Sequence, residues 1–195
     1  MSRVVALIPA RGGSKRIPRK NLATIKGKTL VQLAIEATQE SRRVQATYVS
    51  TDDVEIEQEA LRYGAHVLVR PRHLATDEAQ MDDVVSDFLL FAQLKDDDVV
   101  MLLEPTAPLR CPDDIDAIAD LMLTTSAPAA RMVRASADIK CHGFRYHDVG
   151  LASAIRVGSF DGCLFPQGTL LMHMGDERSI DVDTPEDLVR ARALA

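Results

Sequence analysis

At 195 residues, 46% of them hydrophobic, the chain is long enough to close one domain around a sizeable core. A net charge of -6 with only 4% aromatic residues argues against general nucleic-acid binding. No apolar run approaches the roughly 18 residues that span a bilayer, and the N-terminus meets a charged loop within about ten residues, so neither a membrane segment nor a signal peptide is expected. Cys111, Cys141 and Cys163 are odd in number and lack CxxC spacing, which argues against a disulfide framework or a zinc site and fits a cytoplasmic protein.

Residues 4–8, Val-Val-Ala-Leu-Ile, predict a strand buried on both faces, ended by Pro9. Gly12-Gly13-Ser14 then forms a loop whose backbone can approach a ligand closely. Arg11, Lys15, Arg16, Arg19, Lys20, Lys26 and Lys28 cluster here with no acidic residue between Arg11 and Lys28, in a protein that is acidic as a whole. Backbone N–H groups and cations at the carboxyl end of a first strand suit a polyphosphate. The spacing is neither GxxxxGK[ST] nor GxGxxG. A solvated basic face is the alternative; a disordered RGG segment fits poorly between a buried strand and a periodic helix.

Leu30, Leu33, Ala34 and Ala37 predict an amphipathic helix over 29–40, and 46–50 reads as a second strand. Thr51-Asp52-Asp53 supplies an N-cap and early acids for a helix bearing Ile56, Ala60 and Tyr63, which stops at Gly64. Residues 66–69 form a third strand. This rhythm predicts a doubly wound, mostly parallel α/β sheet with right-handed crossovers.

A loop over 70–80 leads to a helix with Met81, Val84, Val85, Phe88, Leu89 and Ala92 on its core face. Asp96, Asp97 and Asp98 read as a solvated turn. The buried strand 99–103 delivers residues 104–110 to its carboxyl end, the edge where open α/β sheets bind ligands. Pro112, Asp113 and Asp114 open a further helix with core positions Ile115, Ile118, Ala119 and Met122. A strand is expected over 129–133, an irregular hairpin or flap over about 140–167, and a returning strand over 169–172. Thr184, Pro185 and Asp187 make a well-formed start for a last helix. Asp181 and Asp183, two apart on an extended segment, point to one side. Beside a triphosphate loop they could share a divalent ion, Mg²⁺ or Mn²⁺; alternatively, one of them merely caps the last helix. No internal repeat, linker or second domain is visible, so residues 1–195 read as one unit.

The stretch ALIPARGGSKRIPRKNL and the stretch SIDVDTPEDL resemble signatures of the CMP-acylneuraminate synthetases, cytidylyltransferases that activate sialic-type sugars. VSTDD at 49–53, LATD at 74–77 and LEPTAPLR at 103–110 are similar to further family segments, so the resemblance covers the chain to about Val133 and again from about Gln167. It implies a Rossmann-like nucleotidyltransferase that moves CMP from CTP to an acidic acceptor and releases pyrophosphate. It further implies that Ala10, Arg11, Gly12, Gly13, Lys15, Lys20 and Asn21 hold the triphosphate and ribose, and that Arg70, Asp77 and Ala79 surround the cytosine. Asp181 and Asp183 would bind the metal and act with Arg11 and Lys20 in catalysis. Glu104, Thr106, Lys140, Arg156 and Gln167 would face the acceptor, and the enzyme would be a homodimer.

Three departures bear on the acceptor. Glu104 stands where the family has Gln, residues 77–80 read DEAQ where it has DTAS-type residues, and its RRQxxPxxYxxNGAIY stretch has no clean counterpart. A sialic-type 2-keto sugar acid and a smaller acid or phosphonate therefore compete as acceptor, and a catalytically silent nucleotide-binding module is the third alternative. Intact Arg11 and Asp181–Asp183 segments argue against silence.

Overall fold

The computed structural model describes residues 2–141, 144–173 and 178–195, with side chains described except over 134–151. Strand β1 (Val4–Pro9) is buried at all six positions. Two-residue strands β2 (Thr24–Ile25) and β3 (Lys28–Thr29) follow as a small hairpin, with Lys26 (φ 47°) and Gly27 (φ 81°) at its turn. Two successive left-handed residues suit the twist of a two-residue hairpin loop. Then come α1 (Leu30–Glu40), β4 (Ala46–Thr51), α2 (Val54–Arg62), β5 (His66–Val69), α3 (Met81–Ala92), β6 (Val99–Leu102) and α4 (Pro112–Thr124). The chain continues through β7 (Ala129–Cys141), β8 (Phe144–Arg156), β9 (Leu170–His173) and α5 (Pro185–Leu194).

The main sheet has seven strands in the order β5-β4-β1-β6-β8-β7-β9. Only β8 runs against its neighbours; the pairs β5–β4, β4–β1, β1–β6 and β7–β9 are parallel. Alternation along β1 sends Val4, Ala6 and Ile8 to a core with Val31, Ile35, Ile118 and Met122 of α1 and α4. Val5 and Leu7 turn to the other face, against Val85 and Phe88 of α3. Both faces are therefore covered, as an apolar run without alternation requires. Each such fully buried side chain contributes on the order of 2 kcal/mol of transfer free energy. A third cluster of Ile17, Ile25, Leu30, Ile180, Val182 and Leu188 packs the basic loop against the C-terminal segment.

Two helix starts form as expected: Asp53 accepts from Glu55 and Ile56 N–H, and Thr184 and Asp187 cap α5 reciprocally. Thr29, expected inside its helix, is instead the cap of α1 and accepts from Gln32 N–H. Two further elements differ from expectation. Asp98 is not solvated: it is 1% exposed and accepts from Arg3 N–H (2.7 Å), the Arg3 guanidinium and Lys95 N–H, pinning the start of β6 to the N-terminus. The expected hairpin is present but begins earlier, as the antiparallel pair β7 and β8, each 13 residues long, while 157–167 lies outside strands. Register shifts between Arg131 and Val133 and between Ala135 and Ile139 break the alternation that would have disclosed the earlier start. β8 meets β6 only through residues 153–156, so most of this hairpin lies beyond the end of β6. Among the described residues no helix is long and apolar enough to cross a membrane.

Candidate active site

The loop after β1 is shaped by the strands beside it. Ala10 N–H donates to Ser50 O at 2.9 Å and Gly12 N–H to Asp52 Oδ1 at 2.9 Å, while Asn21 Nδ2 donates back to Arg11 O at 2.9 Å. A Cβ on Gly12 would lie 2.6 Å from Asp53 Oδ2, so it is Asp53, not a ligand, that demands glycine there. A Cβ on Gly13 would meet no protein atom within 4 Å.

This geometry divides the basic tract. Arg19, in the left-handed region at φ 54°, turns to Asp53 and Glu55, and Lys28 pairs with Glu36. Arg11, Lys15, Arg16 and Lys20 converge instead on a cleft of about 330 Å³ that Asp77 and Asp183 also line. Asp77 accepts from Arg11 and Lys15, and Asp183 from Lys20 (3.0 Å) and Arg16 (2.9 Å). Lys15, then Arg11, hold the Asp77 carboxyl below the usual range. Burial pushes Asp183 up, but Lys20 and Arg16 outweigh it and leave that carboxyl lowered.

The two aspartates of the C-terminal segment differ. Val182 is fully buried and donates its N–H to Thr106 O at 2.7 Å, which ties the segment to the loop after β6. Asp181 is more enclosed than Asp183, and burial raises its carboxyl above the usual value despite the nearby Thr106 hydroxyl. Among the described residues neither Asp181 Oδ1 nor Thr106 Oγ1 has a partner at hydrogen-bond geometry, and both atoms are buried.

A second lobe of about 230 Å³ shares Arg11, Lys20 and Asp77 with the first. Arg70, Ala79, Met81 and Val84 form one side of it, Glu104 and Thr106 the other. Arg70 is 5% exposed. Its Nε donates to Ser50 Oγ (3.1 Å) and its Nη2 to Ser50 O (2.9 Å), and burial lowers its pKa to about 10. Glu104 is pushed up to about 7 by burial and then by the Asp181 charge, against the pull of Arg110, Lys20 and Arg131.

Two of the expected acceptor residues, Arg156 and Gln167, do not gather here. Arg156 closes β8 opposite Val99, the first residue of β6, and donates to Met122 O (2.7 Å), Thr125 O (2.9 Å) and Ala127 O (3.3 Å). It caps the carboxyl end of α4 at the opposite edge of the sheet. Gln167 precedes β9 and adjoins Gly168, which packs beside Pro128 at that same far edge. The Lys140 side chain lies outside the described residues. Arg131 is a cation that the sequence did not single out: it bears on Glu104, and its guanidinium carbon lies 3.9 Å from the centre of the Phe165 ring. Its one legible signal was a charge within an otherwise apolar strand, Ala129-Ala130-Arg131-Met132-Val133.

Known proteins place this geometry. Residues 5–142 match the family model described as cytidylyltransferase. The chain is 42% identical over 116 residues to the CMP-N,N'-diacetyllegionaminic acid synthase of Legionella pneumophila, covering 58% of this chain and 50% of that protein. It is also 42% identical over 108 residues to a pseudaminic acid cytidylyltransferase of Campylobacter jejuni, covering 54% and 47%. The chain thus spans about half the length of the curated relatives it matches. In overall fold it is similar to a CMP:2-keto-3-deoxy-manno-octonic acid synthetase solved with CTP (TM-score 0.76, 20% identity, 99% of this chain and 98% of that one). A 4-diphosphocytidyl-2C-methyl-D-erythritol synthase gives a TM-score of 0.73 at 16% identity, covering 100% and 99%. The matched segment holds the basic loop, Arg70 and Glu104 together, and with most of its length inside that match the chain belongs to the cytidylyltransferase family.

Proposed function

We propose that the protein transfers CMP from CTP to an acidic acceptor and releases pyrophosphate. The observation that carries this is the convergence of Arg11, Lys15, Arg16 and Lys20 on one cleft, continuous with a second lobe that offers Arg70 beside Ala79. A triphosphate fits the first lobe by taking over cations that Asp77 and Asp183 now hold, and the pyrimidine fits against Arg70 and the Ala79 backbone. An acceptor oxygen then attacks the α-phosphorus in line; the new O–P bond forms as the bond to the β-phosphate oxygen breaks, and that electron pair leaves on pyrophosphate. Arg11 and Lys20 stabilise the charge on the phosphate oxygens.

Hard oxygen donors beside a polyphosphate suit Mg²⁺ or Mn²⁺, and the unpartnered, buried Asp181 Oδ1 fits such an ion. Asp181 and Asp183 would hold it, Asp183 giving up Lys20 and Arg16 to the phosphates. When bound, the ion supplies charge neutralisation at the transferred phosphoryl group.

On the acceptor side Glu104 and Thr106 line the cleft. A sialic-type 2-keto sugar acid is the first choice, in line with the relatives' names. Glu104 favours a second reading, a smaller acid or phosphonate, since it lacks the amide donor that the neutral hydroxylated side chain of a large sugar acid would need. The β7–β8 hairpin beyond β6 is suited to contact a second copy, which supports a homodimer. A cytoplasmic location is consistent with the supply of CTP. The test is CTP-dependent pyrophosphate release over a panel of 2-keto sugar acids and phosphonates. Failure of the chain to bind CTP, together with no release from any acceptor, would overturn the proposal.

A further inference from the structure

A buried cation and a half-buried carboxylate with one buried oxygen, both near the base-facing end of the cleft, are each short of partners. Arg70 gives Nε and Nη2 to Ser50, and its burial depresses its pKa to about 10. Of the carboxylates that bear on it, Asp52 is committed to Gly12 N–H and Asp87 is not. Asp87 Oδ2 is buried and has no hydrogen-bond partner among the described residues. The two sit on neighbouring elements: Val84 of α3 lines the same cleft lobe as Arg70, and Asp87 follows three residues later, one turn along that helix face and beside the fully buried Phe88. A buried carboxylate oxygen with no donor is costly and calls for an explanation.

We propose that Asp87 is a positioning residue for recognition of the nucleotide base, its inward-facing carboxylate oxygen holding the Arg70 guanidinium at the cleft while Ser50 fixes its plane. This rests on the reading of Arg70 as the group that meets the base. A carboxylate in direct, two-pronged contact would consume the guanidinium fork. One standing farther back attracts the charge through a low-dielectric interior without taking any N–H. Among the described residues Arg70 Nη1 donates to no protein acceptor, so it stays available to a ligand.

The experiment compares binding of CTP with binding of tripolyphosphate, which has the phosphates but no base. Calorimetry on the full chain gives both constants for wild type, Asp87→Asn and Asp87→Glu. Asp87→Asn should weaken CTP about tenfold and leave tripolyphosphate within about twofold, while Asp87→Glu, which keeps the charge, should stay within about threefold for both. Unchanged CTP binding by Asp87→Asn, or equal weakening of both ligands, overturns the inference. If Asp87→Asn does not fold alone, Arg70→Ala/Asp87→Asn leaves neither charge unpaired and should bind CTP as Arg70→Ala does; weaker binding than that overturns it. Wild type binding CTP no better than tripolyphosphate would instead remove the base-reading role of Arg70, and this inference with it.

Discussion

Replacing Glu104 by Gln should stabilise the protein in a way that grows with pH. The Glu104 carboxyl is displaced from 4.5 to about 7, chiefly by burial and secondly by Asp181. Because the folded pKa lies above the unfolded one, the native state binds more protons than the unfolded chain between those values. Stability therefore falls as pH rises through that window. At about 1.4 kcal/mol per unit, the displacement corresponds to roughly 3 kcal/mol lost once Glu104 is ionised in both states. Glutamine cannot ionise, so the advantage of Glu104→Gln should be near zero at pH 4 and approach that figure by pH 8. Urea unfolding of both proteins at unit pH intervals measures it. Asp77, Asp98 and Asp183, whose carboxyls are lowered, cost stability at acid pH in both proteins and cancel in the difference. A difference that stays flat from pH 4 to 8 would show that Glu104 is not held in an unfavourable charged form, and the reasoning would fail. The same variant should improve use of N-acetylneuraminic acid, since it removes a repulsive charge and restores an amide donor.

Asp181→Asn and Asp183→Asn should each collapse turnover and raise the Mg²⁺ requirement while the circular dichroism stays native; near-normal turnover in both would exclude them as metal ligands. Lys20→Ala should cost about 3 kcal/mol of transition-state stabilisation, read in kcat more than in CTP binding. Asp77→Asn should bind tripolyphosphate several-fold more tightly, because it frees Arg11 and Lys15 from a competing carboxylate; weaker binding by calorimetry would show that Asp77 serves the ligand instead. Arg156→Ala should lose about 1–3 kcal/mol of stability through the α4 carbonyls it leaves bare, with CTP affinity unchanged; a loss of affinity would return Arg156 to the site.

The parallel half of the fold was legible because its signals are local: buried runs for β1 and β6, core spacing on α1 and α3, caps at Asp53 and Thr184. The basic loop was legible as charge concentrated within an acidic chain. Which cations face the cleft was not, since spacing says nothing of the turn at Arg19 that sends its side chain to Asp53. Arg156 and Gln167 were misplaced for a topological reason. β8 runs antiparallel, so the residue that ends it lies at the far edge, and Gln167 precedes a strand parallel to the rest. Glu104 was legible as a departure from the family pattern, whereas Arg131 and Asp87 depend on contacts across the sheet and between layers that no short motif records.

Asp53 has a consequence for the motions of the loop. One carboxylate accepts the first free N–H groups of α2, receives the Arg19 guanidinium, and packs so closely on Gly12 that no side chain fits there. The start of α2 and the basic loop are thus joined through a single group and should open as one cooperative unit. Fraying of the α2 first turn should release the loop, and a ligand that quiets the loop should slow amide exchange at Glu55 and Ile56.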